Sequence, residues 1–165
     1  MATLTTNLNY LQPTAFKLTI DRKNYPNLEF FAQTVAHPSV SLAASELPFR
    51  RANTYSAGDK LTFDELSATI IVDENMSSYI EMYTWMERLV EQNNRPATVR
   101  QDNLVPSSAD ITLSVLTSHN NSNKKITYVD CIPTSLGSIN FEATVSDVQY
   151  LTFPISFRTN YFKIT

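Results

Sequence analysis

The stretch SAGDKLTFDELSATIIVDENMSSYIEMYTWMERLV, residues 56–90, contains the change of hydrophobic period that decides the fold class. Its middle alternates: Leu66, Ala68, Ile70 and Val72 are opposed by Ser67, Thr69, Ile71 and Asp73, the pattern of a half-buried strand. After the acidic turn at Asp73 and Glu74 the period lengthens. Ile80, Tyr83, Met86, Leu89 and Val90 fall on one stripe at helical spacing, and Ser78 with Glu81 has the spacing of a capping box. This predicts one core-facing helix over about residues 78–92, carrying Trp85 and ending near Asn93 and Asn94, ahead of Pro96.

Upstream, Ala43–Lys60 (AASELPFRRANTYSAGDK) neither alternates nor holds a helical period, so it reads as a long inter-strand loop over about 43–60. Fully extended it would reach about 55–60 Å, far enough to leave its own domain. Gly58 and Gly137 are the two glycines of the chain. Gly58 is expected to take positive φ where the loop turns back into the sheet, with Asp59 hydrogen-bonding that turn and Phe63 anchoring the strand that follows.

Towards the N-terminus, TAFKLTID sets Phe16, Leu18 and Ile20 against Lys17, Thr19 and Asp21 as a strand. RKNYPN then reads as a turn, LEFFAQTVA as a second strand with Phe30 and Phe31 on opposite faces, and HPSVSL as extended chain. Residues 1–13 are polar and aperiodic and read as an arm. Downstream, ADITLSVLT and ITYVDCI predict a hairpin, LGSINF a short extended piece, and LTFPISFRTNYFKI a closing strand with Phe153, Ile155 and Phe157 on one face. Pro154 favours an edge position or a nitrogen turned away from the neighbouring strand. The plan is a mainly β single domain over 1–165, a barrel or sandwich of roughly six to eight antiparallel strands with one flanking helix.

Composition narrows function. The 165 residues are 42% hydrophobic and 18% charged, with a net charge of −3, which argues against wide electrostatic grip on nucleic acid. The single cysteine, Cys131, makes no internal disulfide, and no leader-like segment or membrane-spanning apolar run is present, so folding in a cytosol without a membrane anchor is expected. No internal repeat or low-complexity tract stands out.

Candidate chemistry is sparse. His37, His119 and Cys131 share no local motif of a Cys-His nucleophile. Asp59, Asp64 and Glu65, and Asp73 with Glu74, are acidic clusters flanking a strand, without calcium-loop spacing or a phosphate cradle. They read as solvated ends or interface ion partners. Arg50 and Arg51 suit a salt bridge to a neighbouring subunit better than a phosphate. No catalytic residue, cofactor or metal site is expected.

The span from Leu47 to Leu89, with its Ala57-Gly58-Asp59 turn, Thr-Phe-Asp strand start at Phe63 and Asp64, acidic turn and Trp85-bearing helix, resembles the tail tube proteins of contractile-tailed bacteriophages. The resemblance extends to baseplate tube initiators and the tube proteins of bacterial injection machines. It implies a structural, non-enzymatic subunit in a virion tail, self-assembling into stacked hexameric rings around a continuous inner β-barrel. Sheath and baseplate proteins would be its partners, and genomic DNA would pass without specific binding. The long connection would pack on a neighbour through Leu47, Pro48, Phe49, Arg50, Arg51, Tyr55, Ala57, Gly58, Asp59, Phe63 and Asp64. Ile80, Tyr83, Trp85, Met86 and Leu89 would form the core side of the helix. A polar or acidic lumen is expected, with Asp21, Asp73 and Glu142 as candidates. A monomeric barrel holding a small ligand is the alternative from another class, and a hydrolase built on the acidic clusters is the third.

Overall fold

In a computed structural model the described residues are 10–21, 23–30, 32–94, 107–144 and 150–165. The chain is mainly β. Strands β1 (Phe16–Thr19), β2 (Ala32–Ala36), β5 (Leu66–Ile71), β6 (Ala109–Leu116), β7 (Ser122–Leu136), β8 (Thr152–Arg158) and β9 (Tyr161–Ile164) form one antiparallel sheet. Its order is β1-β6-β7-β8-β5-β2, with β9 also on β7. β3 (Val40–Phe49) and β4 (Ala52–Phe63) form a separate two-stranded sheet.

The long strand β7 joins two halves. Its first part pairs with β6 and β9, and its last residues pair with β8 from Ile132↔Arg158 to Leu136↔Ile155. Between them the register slips against β6, and Asp130 takes a φ of 54°. The extra residue bends the strand, so the halves fold over a shared core instead of extending as one flat sheet. The two ends of the order, β1 and β2, are not paired to each other, so the architecture is an open sandwich and not a closed barrel.

Alternation explains the core. β5 buries Leu66, Ala68 and Ile70, while β8 buries Phe153, Ile155 and Phe157, as their period predicts. Each of these leucine, isoleucine and phenylalanine side chains contributes about 1.5–3 kcal/mol by leaving water. β6 adds Ile111 and Leu113, β7 adds Tyr128 and Cys131, and β1 adds Leu18.

Two helices lie among the described residues: α1 (Pro26–Phe30) and α2 (Ser77–Asn94). The expected strand over LEFFAQTVA is therefore half helix. Pro26 opens α1 with a preset φ, and Asn27 donates from its backbone nitrogen and its Nδ2 to the Glu81 carboxylate of α2, at 3.2 and 2.6 Å. Phe31 lies outside the described residues, as do residues 1–9 of the expected arm.

Glu81 is thus used across helices, and the expected capping box does not form. The Ser78 hydroxyl donates to the Ile71 carbonyl, and its amide donates to the Asp73 carboxylate at 3.3 Å. Asp73 holds the helix start. Desolvation pushes its carboxyl up, but hydrogen bonds from the Ser77 side chain and the Ser77 and Ser78 amides outweigh this and hold it below the usual carboxylate range.

Helix α2 buries Ser78, Met82 and Trp85, with Met86 and Leu89 partly buried against the core. Tyr25 stacks on Trp85 at 4.4 Å between centroids, and Phe157 approaches it at 5.7 Å. Ile80 and Tyr83, expected on the core side, are instead 55% and 53% exposed. The stripes Ile80–Tyr83–Val90 and Met82–Trp85–Leu89 are both apolar, and the Tyr25–Phe157 site for the indole selects the second. No described helix is long and apolar enough to cross a membrane.

One further expectation changes, and of the two alternatives for Pro154 the turned-away nitrogen is the one found. LGSINF forms no strand, because β7 ends at Leu136 and the chain leaves the sheet at Gly137. Pro154 sits on β8 between β5 and β7, not at an edge. Its carbonyl accepts from Gly137 N at 2.8 Å, and in extended chain a residue's nitrogen points the same way as its carbonyl. The missing donor therefore faces the departing chain and costs β5 nothing.

Candidate functional site

Residues Ala43–Lys60 are not a loop. They are most of the β3–β4 hairpin, whose register runs from Val40↔Phe63 at its base to Phe49↔Ala52 at its tip. Every residue of β3 is exposed, and β4 is almost as open. Period two appears in a sequence only where one face is buried, so a strand wet on both faces carries no alternation. With strands of 10 and 12 residues the hairpin extends about 30–40 Å.

The tip is a two-residue connection, Arg50–Arg51, with Arg50 at a φ of 40°. Beside it Phe49 is 69% exposed, with Leu47 next but one on the same face of the strand and Tyr55 paired with Glu46 on the other. Pro48 pairs with Asn53, and Leu42 with Leu61 nearer the base, both of these leucines also exposed.

Gly58 serves close approach, not a left-handed turn. No described glycine has positive φ. The pairing slips between Leu42↔Leu61 and Ala44↔Ala57, so Gly58, Asp59 and Lys60 oppose Ala43 alone. A Cβ on Gly58 would lie 2.1 Å from the Ala43 carbonyl oxygen. The glycine lets the bulge close.

The base of the hairpin is fastened. Phe63 meets Phe162 edge-on at 5.3 Å, and Asp64 donates its amide to the Ser39 carbonyl while its carboxylate accepts from the Ser39 hydroxyl. His37 shares a hydrogen bond with the Tyr128 hydroxyl at 2.7 Å and packs edge-on against Phe162 at 4.7 Å; burial lowers its pKa. The root is fastened while the stem has no support among the described residues, and a two-stranded ribbon is only marginally stable alone.

The other sequence candidates have local partners. Cys131 is buried, its thiol donates to the Tyr128 carbonyl, and burial pushes its pKa up to about 11. His119 sits in the β6–β7 turn, its amide held by Thr117 Oγ1. Glu65 lies 3.9 Å from Arg158, and Glu142 accepts from Thr144. Among the described residues no group of three or more His, Cys, Asp or Glu is placed to hold a metal ion.

Sequence reading passed over a second surface. The non-core face of the β1-β6-β7-β9 half carries Lys17, Ser114, Lys125 and Thr165 in one row across the strands, and Thr19, Thr112, Thr127 and Lys163 in the next. A partial signal existed: the triplet Lys-apolar-Thr occurs at 17–19, 125–127 and 163–165 on this face, and once more at 60–62 in β4, outside it.

No protein-family model matches the chain, and no curated protein sequence aligns with it significantly. Solved structures do match. A chain of the anti-feeding prophage cap, the tube-terminating cap, superposes with a TM-score of 0.69 at 15% identity, covering 99% of this chain and 95% of that one. The fold is that of contractile injection-system proteins. A chain of an extracellular contractile injection system, in its sheath-tube complex in the extended state, gives a TM-score of 0.68 at 15% identity over 99% of both chains. One from the anti-feeding prophage baseplate gives 0.63 at 14% identity, over 100% of this chain and 97% of that one. The resemblance carried by Leu47–Leu89 thus extends, as fold, over the whole chain. These neighbours belong to injection systems, whereas the sequence resemblance points to phage tails.

Proposed function

We propose that this chain is a structural subunit of the tube of a contractile machine, self-assembling into stacked hexameric rings. The observation that carries the reading is the β3–β4 hairpin, which exposes Leu42, Leu47, Phe49, Tyr55 and Leu61 on a stem with no packing partner among the described residues. Whole-length similarity to chains of a sheath-tube complex, a tube-terminating cap and a baseplate supports it. In this reading Leu47, Pro48, Phe49, Arg50, Arg51 and Tyr55 seat on a neighbouring subunit, and sheath and baseplate proteins are the other partners. The protein acts as a conduit and carries out no chemistry. In a phage tail the cargo would be DNA; in an injection machine it would be another payload.

The test is a double substitution at the tip, Leu47→Asp with Phe49→Asp. Both side chains are exposed in the isolated fold, so the circular dichroism and melting temperature of the monomer should stay as in the wild type, while rings and tubes disappear from electron micrographs. Tubes at wild-type yield would remove the hairpin from the interface.

A further inference from the structure

The Lys-apolar-Thr face is polarised along its strands. Lys17 and Lys125 stand in the row nearer the β6–β7 turn; Lys163 stands one row further in, level with Thr112 and Thr127, its Nζ 5.4 Å from the ring of Tyr161, two residues back on the same face. At the opposite end lie three carboxylates. Asp21 and Asp110 are each two residues beyond the last β1–β6 pair, Thr19↔Thr112, and Asp110 accepts the Asp130 amide at 3.0 Å. The Asp130 carboxylate accepts from Asn160 and Ser108, while that of Asp21 accepts from Lys23 and Asn24. Asp110 and Asp130 remain exposed. About 13 Å of hydroxyl-lined sheet separates the two ends, four residues of strand rise.

We propose that these ends are complementary surfaces between successive copies of this chain, the lysine end of one copy meeting the aspartate end of the next, so that the face fixes the head-to-tail direction of stacking. The inference rests on the tube-subunit reading. A contact between unlike ends is heterologous and propagates, whereas lysine against lysine or aspartate against aspartate repels, so inverted stacking is disfavoured. One exposed ion pair contributes little. Repeated around a ring, the same pair acts many times at once and sets the outcome.

The experiment is a charge exchange. The first variant carries Lys17→Glu and Lys125→Glu; the second carries Asp110→Lys and Asp130→Asn, asparagine being a residue that tolerates the left-handed backbone. Elongation is followed by light scattering at low salt. Each variant alone should elongate about tenfold or more slowly than the wild type, because like ends meet, and an equimolar mixture should recover, because each reversed end finds its complement. Wild-type elongation should also slow as ionic strength rises from about 0.05 to 0.5 M. That arm decides the question even if a variant fails to fold. Wild-type rates from either variant alone, a mixture as inert as its components while both keep native circular dichroism, or wild-type elongation indifferent to salt would each overturn the proposal. Unchanged elongation with lost nucleic-acid retention would assign the lysines to a polyanion and overturn it as well. A wild type that forms no assemblies at all would instead remove the tube-subunit reading.

Discussion

The two glycines occupy positions where a Cβ has no room, yet their substitution should have different consequences. At Gly137 a Cβ would lie 2.3 Å from Pro154 Cγ and 3.0 Å from the Pro154 carbonyl oxygen, inside the main sheet. Gly137→Ala should therefore lower global stability by about 1–3 kcal/mol, read as a drop in melting temperature of about 2–4 °C per kcal/mol. At Gly58 the clash is with the Ala43 carbonyl of the isolated hairpin. Gly58→Ala should leave the melting temperature close to wild type while limited proteolysis within Val40–Phe63 accelerates; a large loss of global stability would show that the hairpin folds as part of the core. Cys131 supplies a pH dependence. Its folded pKa lies above the ordinary thiol value, so the stabilisation from keeping it neutral is complete below about pH 9 and is lost as pH rises through about 11. The loss across that window is about 3 kcal/mol. Urea titrations from pH 8 to 11 should show the wild type losing stability relative to Cys131→Ala over that window, and parallel profiles would contradict the assignment.

Individual elements were legible where burial was one-sided. β5, β6 and β8 alternate in sequence and in burial alike, because each has one face on the core and one in water. The β3–β4 hairpin was not legible, since with both faces wet nothing in Ala43–Lys60 constrains the alternation. Helix α2 was legible as a helix, but not in its rotation, which depends on Tyr25 and Phe157, far away in sequence. That rotation is testable. Trp85→Ala should cost about 3–5 kcal/mol, whereas Ile80→Ser and Tyr83→Ser should each change monomer stability by less than about 0.5 kcal/mol. Comparable losses at all three positions would mean that the helix is rotated from the orientation described.

At the scale of the whole molecule, the sequence carried the β class and the resemblance to tube proteins, but not the way the chain presents itself to others. The interface expectation at Leu47–Asp64 was attached to a loop; the structure makes the same residues a ribbon with two open edges and places Phe63 and Asp64 at its fastened root. Among the described residues the outer strands of the sandwich have one unpaired edge each and the hairpin stands apart, which leaves backbone donors and acceptors and apolar side chains open. On the proposed reading, this fold is completed by copies of itself. Its most direct test is negative-stain microscopy of the purified wild-type protein over a concentration series, with and without a tube or baseplate template. The expected result is six-membered rings that stack into tubes as concentration rises or template is supplied. A protein that stays monomeric at every concentration and on the template would contradict it.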